Sequence, residues 1–240
     1  MSNYTLKIKL LSDTTFGRGD GVAGLVDQEV EHDCYGFPYL RGRTLKGLLS
    51  EECDNLVGVI PHENQREHWQ KIADELFGKP GSTLDTQAIM HVGDACLPSD
   101  LRTAIAAQLD VESKKNRENP KYHPTLTNTD ILESLTTIRR QTAIDPENGA
   151  AAERSLRSAR VILRELPFES KLLFARKLNE ESEEDKDILA LLVVGTLALR
   201  RMGSGRNRGR GHVQCTLWDI QNNSEITQKI SYIERFGKGI

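Results

Sequence analysis

Glycine and arginine are interleaved between Gly203 and Gly211 in a pattern suited to a polyanion. The segment reads Gly-Ser-Gly-Arg-Asn-Arg-Gly-Arg-Gly. Glycine lets the backbone approach a ligand closely, and the guanidinium group matches phosphate in a bidentate geometry. A disordered glycine- and arginine-rich tail is the alternative, but this segment lies between a predicted helix and a predicted strand. We therefore predict phosphate binding by the residues Gly205, Arg206, Arg208 and Arg210.

An earlier glycine-rich loop follows the first predicted strand. Its residues Gly17, Arg18 and Gly19 are further candidates for contact with a polyanion, and Gly21 and Gly24 complete the loop. The sequence does not match the GxGxxG fingerprint of dinucleotide-binding proteins, and no Walker lysine is present. A nucleotide cofactor is therefore not expected.

The segment Gly42–Gly47 opens a predicted helix whose first turn is a candidate anion site. We expect Thr44 to be the N-cap, and free amide groups at a helix N-terminus attract anions. Lys46 and Ser50 are four residues apart and share a face away from the leucines. Arg43, Thr44, Lys46 and Ser50 are therefore candidates for binding, although an ordinary helix start with a solvated lysine would look the same.

Carboxylates just upstream suggest a possible catalytic group. Asp27 and Asp33 flank a short extended segment, and a carboxylate beside a phosphate site can bind a divalent cation or orient a nucleophile. An exposed turn aspartate is the commoner role. His32 and Cys34 are close in sequence and could form a zinc site with Cys53, although none of the histidines has the spacing of a zinc motif. No motif for a nucleophilic serine or cysteine is present.

Composition excludes several classes of protein. The chain has 240 residues, 38% of them hydrophobic, and its longest apolar run, 188–199, is shorter than the ~20 residues of a membrane span. No signal peptide is recognised, and four cysteines without a CxxC pair favour reduced thiols. We expect a cytoplasmic protein with no membrane partner.

The net charge of -3 does not exclude a nucleic-acid-binding protein, because 19 of the 32 basic residues are arginines and six acids are concentrated at 180–187.

The hydrophobic pattern predicts an α+β fold, an antiparallel sheet with helices on one face. A charged, proline-bearing stretch at 112–128 is expected to be an exposed loop, and an arginine-rich stretch at 136–167 turns at 145–149. The predicted strands are 4–10, 88–92, 168–177 and 213–220. The predicted helices are 44–56, 62–77, 99–109 and 188–201.

Three blocks of this sequence resemble those of CRISPR-associated RAMP proteins, and one of them is Leu76–Gly78 followed by a strand that ends near Ala95. Val26–Asp33 followed by Gly36–Gly47, with its Gly-x-Pro and Gly-x-Thr-Leu-Lys-Gly motifs, is similar to their N-terminal block. Gly203–Gly211 is similar to their C-terminal glycine-rich loop. The resemblance implies one RRM-like (ferredoxin-like) domain over 1–240. Its parts are a core of 1–60, 86–96 and 168–220, a helical insertion at about 61–134 and an inserted β-hairpin thumb at about 136–167, which carries Arg139 and Arg140.

Within the superfamily, the chain most resembles the repeated backbone subunit of type III effector complexes. That resemblance implies guide crRNA, target RNA and other subunits, including further RAMP subunits, as partners. It also places Asp27 at the position of a catalytic aspartate that cleaves target RNA with Mg²⁺ or Mn²⁺. The 2′-hydroxyl beside the scissile phosphate would attack and leave a 2′,3′-cyclic phosphate. Arg41 and Arg43 depart from the family pattern, which more often has proline and a small hydroxyl residue there.

Two other functions stay open on the sequence. The chain could be a structural subunit of the same kind of complex with no cleavage activity. It could also be a stand-alone endoribonuclease that processes guide precursors. That activity needs a general base, and His212 is the one histidine at the edge of a glycine-rich loop.

Overall fold

A computed structural model describes residues 3–79, 87–119, 121–179 and 181–238 of the chain. It contains seven strands and six helices within these residues. The strands are β1 (Asn3–Leu10), β2 (Met90–Val92), β3 (Thr136–Gln141), β4 (Arg157–Ile162), β5 (Pro167–Phe174), β6 (Val213–Asp219) and β7 (Ser224–Glu225). The helices are α1 (Gly42–Gly58), α2 (Glu63–Phe77), α3 (Ser99–Glu118), α4 (Asn128–Leu135), α5 (Glu183–Ala198) and α6 (Ile230–Gly237).

The main sheet has the strand order of a ferredoxin-like fold. Its strands lie in the order β2-β5-β1-β6-β7, and all neighbouring pairs are antiparallel. The central strand β1 pairs on both sides, with Ile8 opposite Phe168 of β5 and Cys215 of β6. Because α1 follows β1 and α5 follows β5, the core is a β-α-β-β-α-β unit. This confirms the predicted fold class.

Alternating residues place the helices on one face of the sheet. Tyr4, Leu6, Ile8 and Leu10 of β1 are all buried, whereas Lys9 between them is exposed. The same alternation runs along β5 and β6. Helix α5 is buried from Ile188 to Thr196, so it is the central helix of the core. The period-2 pattern of the sequence thus reflects one packed and one open sheet face.

Helices α1 and α5 cross at Gly195 of α5, where no side chain separates the two helices. A Cβ atom built on Gly195 of α5 would overlap the sulfur of Cys53 in α1. Burial raises the pKa of the Cys53 thiol. Its sulfur lies 3.7 Å from the carbonyl oxygen of Leu191. The crossing therefore depends on a small residue at 195, since interiors are packed too closely to accept a methyl group without movement.

Helix α3 is longer than the sequence predicted, so the prediction of an exposed loop at 112–128 is wrong for 112–118, whereas the described residues from 121 to 127 form no helix or strand. The helix continues to Glu118, and Glu112 is buried. Its carboxylate accepts hydrogen bonds from the Tyr122 hydroxyl at 2.7 Å and the Thr125 amide at 2.9 Å. These bonds lower the pKa of Glu112, the Tyr122 bond contributing most. The sequence did not show that this turn of the helix is packed, because its buried residue is a carboxylate and not an apolar side chain. The partners that bury it lie 10 and 13 residues further along the chain.

Strands β3 and β4 form a two-stranded antiparallel hairpin inside the stretch that was predicted to turn at 145–149. The end of β4 packs into the body, where Val161 and Ile162 are fully buried. The far part of the hairpin is open, with Ile144 and Leu156 both about 60% exposed or more. The hairpin is thus fixed at its base and exposed at its tip.

The fifth helix begins and ends earlier than expected, at Glu183 and Ala198 rather than 188 and 201. Glu183, Glu184 and Asp185 occupy its first turn, as the helix dipole favours. Glu180, where the predicted acidic run begins, lies outside the described residues. Asp185 and Asp187 are buried and paired with Arg176 and Arg235, so these acids also hold tertiary structure. Helix α6, which carries Arg235, was not predicted.

Within the described residues, no helix has the length and apolar character needed to cross a membrane.

Candidate nucleic-acid interface

The two glycine-rich loops lie side by side. The Ser204 amide donates a hydrogen bond to the carbonyl oxygen of Thr15 at 2.9 Å, and the two residues form an isolated β-bridge. Gly203 adopts a φ of +78°, and a Cβ atom there would lie 2.5 Å from the Thr15 oxygen. Only glycine fits this close approach. The loops predicted separately therefore form one surface.

Arg206–Arg208 form one turn of 3-10 helix between two glycines in the left-handed region. Gly205 and Gly209 both have a φ of +78°. Beside this turn is a groove of about 470 Å³. Its lining includes Arg206, Arg208 and Arg210 from this loop, Gln28 from the segment beside Asp27, and Gln141 from the end of β3. With Asn207, which also lines the groove, three arginines and three side-chain amides are suited to the backbone of a nucleic acid.

Four acidic residues at alternate positions, Asp27, Glu29, Glu31 and Asp33, differ in their partners. Glu29 pairs with Arg160, Glu31 with Arg41 and Asp33 with Arg102. Asp33 also accepts the amides of Tyr35 and Phe37 and so holds the turn that the sequence places there. Among the described residues, Asp27 alone of the four has no arginine partner. Its negative charge is therefore not neutralised by a direct ion pair, and Arg157 acts on it only at longer range.

Ser158 at the start of β4 holds Asp27. Its amide and its hydroxyl both donate to Oδ2 of Asp27, at 2.6 Å and 3.1 Å. These bonds, the amide first, lower the pKa of the exposed Asp27 carboxyl. No described residue bonds Oδ1. Asp27 is thus an ionised carboxylate with one oxygen fixed and the other available, next to Gln28 at the edge of the groove; Asp27 itself does not line it.

A buried ion pair lies beneath this segment. Nε of Arg160 is 2.9 Å from Oε1 of Glu29, and both side chains are less than 10% exposed. Arg160 also donates to the Thr136 hydroxyl, which ties β4 to β3. Backbone bonds join Gln28 to the same strand, since the Arg160 amide donates to the Gln28 carbonyl oxygen. The Asp27 segment and the hairpin are therefore one connected unit.

The first turn of α1 differs from the prediction. Arg41, not Thr44, is the N-cap, and the Gly42 amide donates to Oδ1 of Asp94 at 2.7 Å, so an aspartate from after β2 caps the helix. The prediction of Thr44 as the N-cap is wrong, because the helix starts two residues before it. Thr44 is exposed and lines a second, smaller cleft that contains Gly17 and Arg206.

The other candidates on α1 lie outside both the groove and the cleft. Arg43 is exposed, and the Ser50 hydroxyl is 3.5 Å from the Asp54 carboxylate on the same helix. Lys46 is partly buried, which lowers its pKa. The structure does not bring these three side chains to the groove.

The remaining arginine candidates have different surroundings. Arg18 pairs with Asp20, next to Gly19, and Arg139 of β3 donates twice to Asp13, at 2.8 and 3.0 Å. Arg140 is exposed on the hairpin. Arg18 and Arg139 must therefore exchange a carboxylate partner for a phosphate if they bind nucleic acid, whereas Arg140 need not.

A zinc site does not form from the cysteines and the histidine considered on the sequence. Cys53 lies in the core, whereas Cys34 is exposed. In the described parts of the chain, no group of three or more His, Cys, Asp or Glu side chains could hold a metal ion.

Three residues near the groove were not predicted: Gln28, Gln141 and Ser158. Gln28 is adjacent to Asp27, and that proximity was the one available signal. Ser158 is more than 130 positions from Asp27, so no local pattern could connect the two.

The family of the chain follows from comparison with known proteins. The family model described as RAMP superfamily matches residues 7–214. This chain belongs to the RAMP superfamily. The matched range contains Asp27, the hairpin and both glycine-rich loops, so the groove described above is part of the RAMP domain itself.

Solved structures show the same fold. A chain of a type III-B Cmr-beta complex bound to cognate target RNA superimposes with a TM-score of 0.61 at 15% identity, covering 90% of this RAMP chain and 97% of that chain. A chain of the Cmr-beta complex in the apo state gives 0.60 at 14% identity, covering 95% and 98%. A search of curated proteins found no match.

Proposed function

We propose that this RAMP protein is a guide-RNA-binding backbone subunit of a type III CRISPR effector complex and that it cleaves target RNA in antiviral defence. The groove that joins Arg206, Arg208 and Arg210 to Gln28 and Gln141 carries the proposal. A strand held there by its phosphates runs between the glycine-rich loop and the end of β3 nearer the hairpin tip, where Gln141 lies. In this proposal the guide crRNA reads the target by base pairing, and the protein holds backbone and shape.

Family membership and fold support the assignment to an effector complex. The similar chains belong to type III-B Cmr-beta complexes, one of them bound to its cognate target RNA. We assign the exposed β3–β4 hairpin as the thumb that kinks the guide–target duplex. Other subunits of the complex, including further RAMP subunits, are the expected protein partners.

In the proposed reaction the 2′-hydroxyl of the target loses its proton to solvent and attacks the adjacent phosphorus. The P–O5′ bond breaks, and the 5′-oxygen leaves with a proton taken from solvent. The products are a 2′,3′-cyclic phosphate and a 5′-hydroxyl end. The kink supplies in-line geometry. Asp27, kept ionised by Ser158, orients the attacking hydroxyl through Oδ1.

The residues present fit a weakly held Mg²⁺ or Mn²⁺. Mg²⁺ at phosphate sites is usually bound by one or two carboxylates together with substrate phosphates and several waters. Asp27 provides one ionised carboxylate with an available oxygen, and the RNA would provide the remaining charge. A bound cation would stabilise the negative charge that develops on the phosphate.

Substitution of Asp27 tests cleavage separately from binding. We expect complexes assembled with Asp27→Ala to bind labelled target RNA but to lose its cleavage in Mg²⁺. Glu133→Ala, which removes an exposed acid of α4 outside the groove and the cleft, is the control and should cleave normally. Unchanged cleavage at every site with Asp27→Ala would contradict the catalytic assignment.

A second candidate function is a structural RAMP subunit with the same grip on RNA and no cleavage. The hydrogen bonds from Ser158 to Asp27 favour this function, because they give the Asp27 carboxylate a structural role: it joins the loop to the hairpin. If neither the native protein nor Asp27→Ala cleaves in a complex that binds target, this function is correct.

A further inference from the structure

A smaller cleft of about 250 Å³ adjoins the groove. Gly203, Ser204 and Arg206 line both, so the two spaces share one wall. A strand with its phosphates on Arg206 and Arg208 therefore passes the mouth of this cleft. Its volume is below the ~300–1,000 Å³ of pockets for drug-sized ligands.

The walls of the cleft differ in chemistry from those of the groove. Phe16, Leu40 and Leu48 supply apolar surface, and the Tyr39 ring is partly exposed. Glu31 is the acid of the cleft, whereas the groove has none. Arg41 and Arg206 also line the cleft, but each has a carboxylate partner, Glu31 and Glu51, so the cleft is less suited to a phosphate than the groove is.

The Glu31 carboxylate is held in place but retains acceptor capacity. Oε1 accepts the Tyr39 hydroxyl at 3.1 Å and a guanidinium N–H of Arg41 at 2.9 Å, and Oε2 lies 2.8 Å from the same Arg41 nitrogen. The Arg41 bond lowers the pKa of Glu31, so the group stays ionised. A carboxylate offers about four lone-pair positions, so Oε2 can still accept an N–H group of a further ligand.

We propose that this cleft binds one unpaired nucleobase of the RNA whose phosphates lie in the groove. The proposal rests on RNA binding by the groove but not on cleavage. The Tyr39 ring and the Arg41 guanidinium offer flat surfaces, and splayed-out bases of single-stranded RNA stack on such groups. Glu31 accepts from an amino or imino N–H of the base, and Thr44 and Ser204 place hydroxyl groups at the wall. The chain thus contacts one base directly in addition to the backbone.

Photo-crosslinking tests base contact without a known binding register. Purified protein is mixed with single-stranded RNA that contains 4-thiouridine, irradiated, digested and analysed by mass spectrometry. We expect cross-links from the base to Tyr39 and its neighbours. Cross-links at the hairpin but none around the cleft would overturn the proposal, while the RNA-binding function would stand. Failure of the native protein to bind RNA at all would instead contradict the proposed function.

A second experiment fills the cleft with a larger side chain. Thr44→Trp should lower the yield of cross-links at Tyr39 by about fivefold or more, since contact with one base changes affinity at least that much. The control is Asn55→Trp, on an exposed position of α1 outside the cleft, which should leave the yield unchanged. Equal yields for the two variants would show that the base lies elsewhere.

Discussion

Individual carboxylates of this chain become distinguishable through their partners. Asp27, Glu29, Glu31 and Asp33 look alike in the sequence, since all are acids at alternate positions. Asp27 could be singled out on the sequence only by resemblance to a family. The distinction comes from Arg160, Arg102 and Ser158, which lie far along the chain. Sequence periodicity reports which face a side chain takes, not which residue it meets there.

Removal of the Arg160 side chain should destabilise the folded protein. We expect Arg160→Met to lower the free energy of unfolding by about 3 kcal/mol, because Glu29 would remain as a buried charge without its partner. Urea denaturation measures this change. Arg157→Met, at an exposed position of the same strand, should change stability by less than about 0.5 kcal/mol. Equal stability of the two variants would mean that the ion pair is not what secures the Asp27 segment.

At the scale of elements, the sequence predicted the existence of most helices and strands but not their contacts. The apolar character of α5 indicated a central helix, and this is confirmed. Nothing in the pattern indicated that its Gly195 faces Cys53 of α1. The missed helix α6 is only eight residues long and docks partly through Arg235, which pairs with Asp187 and Glu183 of α5. Tyr232 and Phe236 of α6 are buried and four residues apart, so the helical spacing was present in the sequence, but over only two turns.

The effect of Gly195→Ala on stability should depend on whether Cys53 is present at the crossing of α1 and α5. Gly195→Ala alone should destabilise the protein by about 1–3 kcal/mol, because the new methyl group overlaps the Cys53 sulfur. In a Cys53→Ala background the same change should be neutral or stabilising, since alanine is the better helix former by up to about 1 kcal/mol. A double-mutant cycle by urea denaturation measures this. Additive effects would show that the two residues do not touch.

The end of α3 should give a pH-dependent contribution to stability. The folded-state pKa of Glu112 is lowered from its usual value of 4.5, so its stabilisation is present above that value and is lost as pH falls through the folded pKa. Glu112→Gln keeps an acceptor oxygen but loses the charge. We expect it to be less stable than the native protein near neutral pH, with the difference closing in acid. A difference independent of pH would contradict this account.

At the scale of the whole molecule, the net charge of -3 conceals a spatial separation of charge. Many acids are engaged within the fold, as Asp185 and Asp187 are with Arg176 and Arg235. The arginines of the glycine-rich loop instead line an open groove, where Arg206 has a carboxylate partner, Glu51, at 3.5 Å. The sequence predicted both this loop and the fold class. It did not show that the two glycine-rich loops form one surface, because their contacts depend on the closed sheet.

Charge removal in the groove should alter the salt dependence of RNA binding. We expect joint replacement of Arg206, Arg208 and Arg210 by glutamine to weaken binding and to flatten the plot of log affinity against log salt, because fewer counterions are released. Fluorescence anisotropy at several salt concentrations gives the slope. Replacement of Lys114, Arg117 and Lys121, exposed cations on or just after α3, is the matched control of equal charge. The same slope change in both triple variants would mean that the groove is not the phosphate site.

The position of β1 at the centre of the sheet has a consequence during synthesis. Roughly 150 residues separate Leu10 from Pro167, where its first partner strand begins, and β6 follows later still. At about 5–20 residues per second, β1 waits on the order of ten seconds or more outside the ribosome with both edges unpaired. Its row of Tyr4, Leu6, Ile8 and Leu10 would then favour aggregation, but Lys7 and Lys9 interrupt it. Lysines at alternate positions act as gatekeepers against self-association, so the open face of the strand protects the nascent chain before it faces solvent in the folded protein.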